Sequence, residues 1–395
     1  MYVFEVIFCI SLIIIVYTYI GYGILLWFLV KIKELIKSRK YILPLEEFPE
    51  VTLFIPAYNE KDYVDEKVRN CRNLKYPKEK LKIVWVTDGS DDGTPELLQQ
   101  YPDIIVYHQS SREGKIMAMN RGMRLITSPI VVFSDANTLL GEESIERIVR
   151  LFADPKVGCV SGEKRILSKD KDMAAGAGEG LYWKYESFLK KYDARLYSVV
   201  GAAGELFAIR REYFTEVEKD TILDDFIISL RIAMQGYVTQ YDPEAYAYEL
   251  PSADVREELK RKVRIAAGGI QSIVRLSPLL NIFRFGVLSF QYISHRVLRW
   301  TLAPLSLLFF LMSNFVLSFR MSFTIHHPIT IVLGLQVCFY LLAFLGWFLE
   351  KKQLKYKVFF IPYYFFIMNL AVYLGFFRYI RKKQDAKWEK AKRRM

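Results

Sequence analysis

Residues 82–94 read Lys-Ile-Val-Trp-Val-Thr-Asp-Gly-Ser-Asp-Asp-Gly-Thr, and their order decides the fold. A β-branched run stops at an acid, Asp88, and gives way at once to turn formers, which is how a buried strand ends at the edge of a sheet. The same arrangement recurs at 51–55, which leads into Ile55-Pro56-Ala57-Tyr58-Asn59-Glu60, and at 130–133, which leads into Ser134-Asp135-Ala136-Asn137-Thr138. A further short run lies at 104–107, and stretches of helical period separate all four. This β-α-β alternation predicts an α/β domain, a Rossmann-like, mostly parallel sheet with helices on both faces. Ligands of such sheets gather at the C-terminal strand ends, where the informative residues fall.

Outward from this domain the composition changes. The chain has 395 residues, 52% hydrophobic and 15% aromatic, too apolar for a disordered protein. Four uncharged apolar runs, at 6–30, 301–319, 328–349 and 358–377, reach membrane-spanning length, about 17 to 25 residues. The predicted organisation is an N-terminal span (1–30), a basic linker (31–49), the α/β domain (50–280), an interfacial helix (281–300), a C-terminal membrane region (301–377) and a basic tail (378–395). The start Met-Tyr-Val-Phe-Glu lacks a basic n-region and the first run is too long for an h-region, so a cleaved signal peptide is not expected.

The net charge of +12 is concentrated at the flanks: residues 31–40 carry +4 and residues 378–395 carry +7. Cations crowding the ends of apolar runs follow the positive-inside rule and suit anionic lipid, leaving no basic stripe for a nucleic acid. That rule puts the large domain in the cytoplasm, with a bacterial inner membrane as the expected location. It also creates a conflict. Three spans after a cytoplasmic domain carry the C-terminus outside, whereas residues 350–357 and the tail require the cytoplasm. Either the last run is re-entrant, with Pro362 as its break, or the tail defies the rule. Cys9, Cys71, Cys159 and Cys338 are scattered, with no Cys-x-x-Cys, and support neither a zinc site nor a disulfide framework.

Each chemical motif has a plain alternative. Asp88 with Gly89 and Gly93 faces a ligand at the sheet edge or forms a helix-capping turn. Asp135 and Asn137, two residues apart at a strand end, can share a hard divalent cation, or open an Asx-turn. Gly201-Ala202-Ala203-Gly204-Glu205 supplies small residues for close approach to a ligand or for packing. Asp224 and Asp225 can act on an acceptor hydroxyl or cap the apolar helix that follows. Arg261, Lys262 and Arg264 suit a pyrophosphate or form a juxtamembrane cluster. In 280–300, Gln291, His295 and Arg299 share one helical face, giving a helix on the membrane surface or a polar face packed on the domain.

Taken in order, Ile-Pro-Ala-Tyr-Asn-Glu, Asp-Gly-Ser-x-Asp-Gly-Thr, Gly114-Lys115, Ser-Asp-Ala-Asn, Gly-Ala-Ala-Gly-Glu and Asp-Asp resemble the family 2 inverting glycosyltransferases with a GT-A fold. The membrane layout is similar to the branch of cellulose, chitin, hyaluronan and poly-N-acetylglucosamine synthases. The resemblance covers about residues 50–300. It implies that Ala57, Tyr58, Glu60 and Asp88 cradle the nucleotide of a nucleotide-diphosphate sugar, UDP-linked by expectation, with Lys115 nearby. Asp135, helped by Asn137, would hold Mg²⁺ or Mn²⁺. Asp225, counted back from Ser229-Leu230-Arg231, would be the general base, with Asp224 in place of the family's Glu. Gly201, Gly204 and Glu205 would line the acceptor site, and Arg261 and Arg264 would face the departing diphosphate. The acceptor would be a growing polysaccharide or, alternatively, a lipid-linked glycan; a non-catalytic membrane subunit is the remaining reading. Three positions depart from the family. Arg261-Lys262-Val263-Arg264-Ile265 stands where polymerising members carry Gln-x-x-Arg-Trp, Asn137 replaces a common Asp, and Thr87 replaces a common acid.

Overall fold

Alternate residues of the first strand, β1 (Val51–Ala57), enter two different cores: Val51, Leu53 and Ile55 one, Phe54 the other. A strand apolar on both faces must be covered on both, which requires helices above and below. The computed structural model describes residues 2–36, 47–167, 174–250, 255–352 and 356–381. After β1 come β2 (Leu81–Asp88), β3 (Ile104–Gln109), β4 (Ile130–Ser134), β5 (Thr138–Leu140), β6 (Val157–Ile166), β7 (Leu206–Arg210) and β8 (Val238–Glu249). They form one eight-stranded sheet in the order β3-β2-β1-β4-β7-β6-β8-β5.

The half that the sequence outlines, β3-β2-β1-β4, is parallel throughout. The second half is mixed, because β7 runs antiparallel to both β4 and β6, and β5 antiparallel to β8. With β6 and β8 parallel, four of the seven pairings are parallel. The reversal at β7 sets the loop before it, residues 201–205, beside the end of β4 and its Asp135-x-Asn137 turn.

Among the described residues, four helices are long and apolar enough to cross a membrane: Tyr2–Ile36, Leu302–Arg320, Pro328–Lys351 and Val358–Ile380. This is a membrane protein. The first is continuous through a π-turn at Tyr17–Gly21 and packs Phe8 on Phe310 at 4.9 Å between ring centroids. The break expected at Pro362 is not formed, since Lys357–Ile380 is one helix with the proline inside it. This helix is held less by the membrane helices than by the domain. Its Phe360, Tyr363, Tyr364 and Ile367 pack with Tyr182, Val255 and Leu259. Near its other end the Tyr373 hydroxyl donates to the Pro304 carbonyl at 2.5 Å, in the first turn of Leu302–Arg320. The expected linker overlaps residues 37–46, and the expected tail residues 382–395, which lie outside the described residues.

The single surface helix expected over 281–300 is corrected. The segment is broken into Ile282–Phe285, Val287–Tyr292, a π-turn at Ile293–Val297 and Leu298–Trp300. Its polar face points inward: Gln291 and His295 are fully buried. The Gln291 amide donates to Asp193 Oδ1 at 3.0 Å and His295 Nδ1 meets Asp193 Oδ2 at 2.6 Å. The Tyr22 hydroxyl of the first membrane helix also donates to Asp193 Oδ1, at 2.5 Å. Arg296 and Arg299 donate to Glu186 at 2.6 and 3.1 Å. Burying this many polar side chains is tolerable because each makes at least one hydrogen bond within the network. The network locks the membrane anchor to the helix Ala174–Leu196 of the domain.

Candidate active site

The end of β4, the 201–205 loop, the first residue of the helix Lys115–Leu125 and the start of the helix Asp224–Met234 converge on a cavity of about 1370 Å³. Asp135, Asn137, Glu205, Asp224 and Asp225 line it from the domain, with Lys115, Arg261 and Arg264 as the opposing charges. Ile20, Ile24 and Trp27 of the first membrane helix and Phe365, Met368 and Val372 of the last line it too. A polar floor thus opens onto an apolar wall made by helices of membrane-spanning length.

Lys115 organises the acids. Its ammonium lies 2.9 Å from Asp135 and 3.2 Å from Asp224; burial works against its charge, and the two carboxylates outweigh burial and raise its ionisation. Burial raises Asp135 against the pull of Lys115. Asp225 is raised to about 7, first by burial and then by the neighbouring Asp224, with Lys115 opposing. A carboxylate poised near neutrality is suited to accept a proton. Asp224 and Asp225 are also the first two residues of their helix, after the N-cap Leu223, so they stand in its first turn while lining the cavity.

The 201–205 loop is shaped around Asp225. Gly201 has φ +86°, and a Cβ there would stand 2.2 Å from the Phe226 ring, so only glycine fits. A Cβ on Gly204 would lie 3.2 Å from Asp225 Oδ2, which places the loop backbone against the carboxylate. Ala202 N–H donates to Ser229 Oγ at 3.0 Å, and that hydroxyl donates to the Asp225 carbonyl at 2.7 Å. Ala202, Ala203, Gly204 and Glu205 reach the cavity, while Gly201 shapes the turn behind it. Burial would raise Glu205, but the Lys164 ammonium at 2.6 Å holds it well below the carboxylate range. Under the β4 end, Lys67 is fully buried and donates to Ser134 Oγ and the Thr138 carbonyl, both at 2.7 Å, which fixes the turn presenting Asp135.

Ala57, Tyr58 and Asp88 lie in a separate crevice with Arg112 and Gly114, and Lys115 lines both spaces. Asp88 Oδ2 accepts the N–H of Glu113 at 3.0 Å and of Gly114 at 2.6 Å, and Arg112 stacks its guanidinium 3.7 Å above the Tyr58 ring. The acid thereby orders the loop that narrows the crevice. Glu60 is buried behind it and lines neither space, its N–H donating to Thr94 Oγ1 at 3.1 Å. Thr87, one of the departures, is satisfied by His108 Nδ1 at 2.8 Å.

Asn137 Oδ1 is buried and has no hydrogen-bond partner among the described residues. An orphaned oxygen beside an aspartate at a strand end is the donor type a hard divalent cation takes, so these residues fit one. Sequence reasoning missed Trp183, Trp300, Glu186 and Arg378, all of which line the cavity. Residue spacing holds no signal for them, because they come from the helix 174–196, the broken 281–300 segment and the last helix, each remote from the motifs in sequence.

An acid-lined cavity thus lies at the strand ends of a mixed α/β sheet, and the chain belongs to the glycosyltransferases of family 2: the model "Glycosyltransferase like family 2" matches residues 49–268. Among named relatives, it is similar to the poly-beta-1,6-N-acetyl-D-glucosamine synthase of Staphylococcus aureus (strain MSSA476), 27% identical over 248 residues. That match covers 60% of this chain and 59% of the relative's length. The synthase of the same name from Staphylococcus epidermidis is 23% identical over 328 residues, covering 75% of this chain and 78% of that one. Among solved structures, the mannosyltransferase PcManGT from Pyrobaculum calidifontis, in complex with GDP-Man and Mn²⁺, superposes with a TM-score of 0.70 at 23% identity. The superposition covers 95% of this chain and 99% of that one, and shows a shared fold.

Proposed function

We propose that the protein transfers a sugar, with inversion, from a nucleotide-diphosphate sugar to a growing polysaccharide at the cytoplasmic face of a bacterial inner membrane. The observation that carries this reading is the meeting, in one cavity, of a near-neutral carboxylate, Asp225, with the Asp135-x-Asn137 turn and the guanidinium of Arg264. Asp225 takes the proton of the acceptor hydroxyl as its oxygen attacks the anomeric carbon in line. The glycosidic bond forms, the bond from that carbon to the diphosphate breaks, and the nucleoside diphosphate leaves. Arg264 and Lys115 offset the charge that develops on it. Ala57, Tyr58 and Asp88 bound the space for the nucleoside, and the 202–205 backbone positions the acceptor against Asp225. Asp135 and Asn137 would hold Mg²⁺ or Mn²⁺, which when bound would neutralise diphosphate charge. The names of the staphylococcal relatives make UDP-N-acetylglucosamine the first donor to test.

A second acceptor class is favoured by one specific observation. The far wall of the cavity is apolar, formed by Ile20, Ile24, Phe365 and Met368, and suits the chain of a lipid-linked glycan. Both readings share the chemistry and differ in the product. The purified full chain is incubated with Mn²⁺, lipid extract and radiolabelled UDP- and GDP-sugars, and the product is sized and partitioned. Long, water-soluble product supports polysaccharide synthesis; short product entering organic solvent supports the lipid acceptor. No transfer from any donor overturns the proposal. If Asp135 and Asn137 hold the metal, chelation by EDTA abolishes transfer and Mn²⁺ restores it.

A further inference from the structure

Most cations in the cavity wall already have an acid. Lys115 faces Asp135 and Asp224, Arg261 faces Glu249, and Arg296 and Arg299 share Glu186. Arg264 and Arg378 differ: among the described residues neither guanidinium makes an ion pair or a hydrogen bond. They come from elements far apart in sequence, the domain helix Val255–Arg275 and the last turn of Lys357–Ile380.

Their proximity is built. A Cβ on Gly375 would lie 2.6 Å from Ala266 Cβ, 2.8 Å from Ala267 N and 2.9 Å from the Val263 carbonyl, so the two helices touch backbone to backbone at that glycine. One turn beyond it Arg378 reaches the cavity that Arg264 lines, and Arg264 feels its charge together with those of Asp224, Asp135 and Asp225. The two half-buried guanidinia repel each other, and the carboxylates of Asp224, Asp135 and Asp225 act on Arg264 without pairing with it, so a ligand placing anionic oxygens between the two guanidinia stabilises both. Phosphate meets that need with bidentate geometry.

We propose that Arg378 and Arg264 form a two-guanidinium phosphate clamp, so that the last apolar helix supplies part of the substrate site. The phosphate belongs either to the departing nucleoside diphosphate or to a lipid-linked acceptor. The clamp deepens the proposed transfer function and rests on it only for the identity of that ligand, since anion binding is measured without turnover.

Inorganic pyrophosphate is titrated into the detergent-purified full chain in EDTA, by calorimetry, for wild type, Arg378→Gln, Arg378→Lys and Arg381→Gln. Arg381 is an exposed cation three residues on that does not line the cavity. In parallel, the chain in phosphatidylcholine nanodiscs is titrated with phosphatidic acid. Arg378→Gln weakens one of the two ligands roughly ten- to a hundred-fold, Arg378→Lys weakens it less, and Arg381→Gln binds as wild type. Loss of pyrophosphate affinity assigns the clamp to the diphosphate, and loss of phosphatidic acid alone assigns it to the acceptor lipid. Unchanged binding of both ligands in Arg378→Gln, or an equal loss in Arg381→Gln, overturns the proposal. Should Arg378→Gln fail to fold, Arg378→Lys, which keeps the charge and loses the fork, decides it: wild-type binding of both ligands overturns the clamp. Loss of transfer with pyrophosphate and phosphatidic acid binding intact would count against the transfer function and leave the clamp in place.

Discussion

Replacing Glu186 by Gln removes one charge from the centre of the buried network that ties the membrane anchor to the domain. The Glu186 side chain is 3% exposed and takes Arg296 at 2.6 Å and Arg299 at 3.1 Å, each 13% exposed. His295, fully buried, lies 3.4 Å away. Glutamine keeps the shape and one acceptor oxygen but turns an NH₂ toward one of the two guanidinia, since Arg296 meets Oε1 and Arg299 meets Oε2. Arg296 retains the Val200 carbonyl at 3.2 Å, whereas Arg299 has no second acceptor among the described residues. Breaking one side of a buried pair costs about 3–5 kcal/mol. At about 2–4 °C per kcal/mol for a domain of this size, the thermal midpoint of the detergent-purified chain falls by roughly 6–20 °C. Acid sharpens the test. Burial would raise Glu186, but Arg296, His295 and Arg299 hold it well below the ordinary value of 4.5. A carboxyl held low contributes stability above its unfolded value and loses it as pH falls, so the gap between wild type and variant narrows below pH 4.5. Asp103→Asn is the control, because its pair with Arg72 is 45–46% exposed and its loss should leave the midpoint unchanged. A midpoint for Glu186→Gln within about 2 °C of wild type at neutral pH, less than the shift from one kcal/mol, would refute the reasoning.

Two further predictions concern the loop and the topology. Gly201→Ala forces a side chain into φ +86° and to within 2.2 Å of Phe226; it should lower stability by at least about 1–3 kcal/mol in denaturant unfolding, and a neutral result would remove the argument for that turn. The last helix meets Gly346 near Phe359, Pro304 near Tyr373 and the domain near Gly375. Its first turns also pack on the domain, through Phe360 and Tyr363. Both ends of this helix thus contact the domain or residues next to it, which predicts that Arg381, the last described residue, lies on the domain's side of the membrane. A C-terminal epitope in spheroplasts should therefore be protected from added protease and be cut only after lysis; cleavage in intact spheroplasts would reverse that topology.

Much of the parallel half of the sheet is legible in the sequence because its strands are apolar on both faces and stop at Asp88 and at Asp135-x-Asn137. Asp88 and Asp135 are legible for the same reason, as acids at the ends of apolar strands, whereas the 201–205 loop, which precedes β7, and Asp224-Asp225, which open a helix, stand out only through their order among the other motifs. The antiparallel half is not, since β8 contains Asp242, Pro243 and Glu244 and lacks a clean alternation. The face formed by Gln291, His295 and Arg299 is visible, but periodicity reports only that a face is polar. Whether water or buried carboxylates satisfy it depends on Glu186 and Asp193, about a hundred residues away in sequence. Hydropathy likewise finds the last apolar run without revealing that Tyr364 and Gly375 pack on the domain, because a protein surface and a lipid tail select the same side chains. For that reason Arg378 reads, in sequence alone, as one more cation of a basic tail.

The central claim is that Asp225 takes the acceptor proton, and the most direct measurement compares initial transfer rates of wild type and Asp225→Asn across pH, with donor affinity measured alongside. With its carboxyl raised to about 7 by burial and Asp224, wild type carries a proton there below that pH and loses about tenfold in rate per unit as pH falls. Asp225→Asn should transfer about 10²–10⁴-fold more slowly at neutral pH and above while binding the nucleotide sugar as wild type does. Transfer by Asp225→Asn at the wild-type rate, with the same pH profile, would contradict the account.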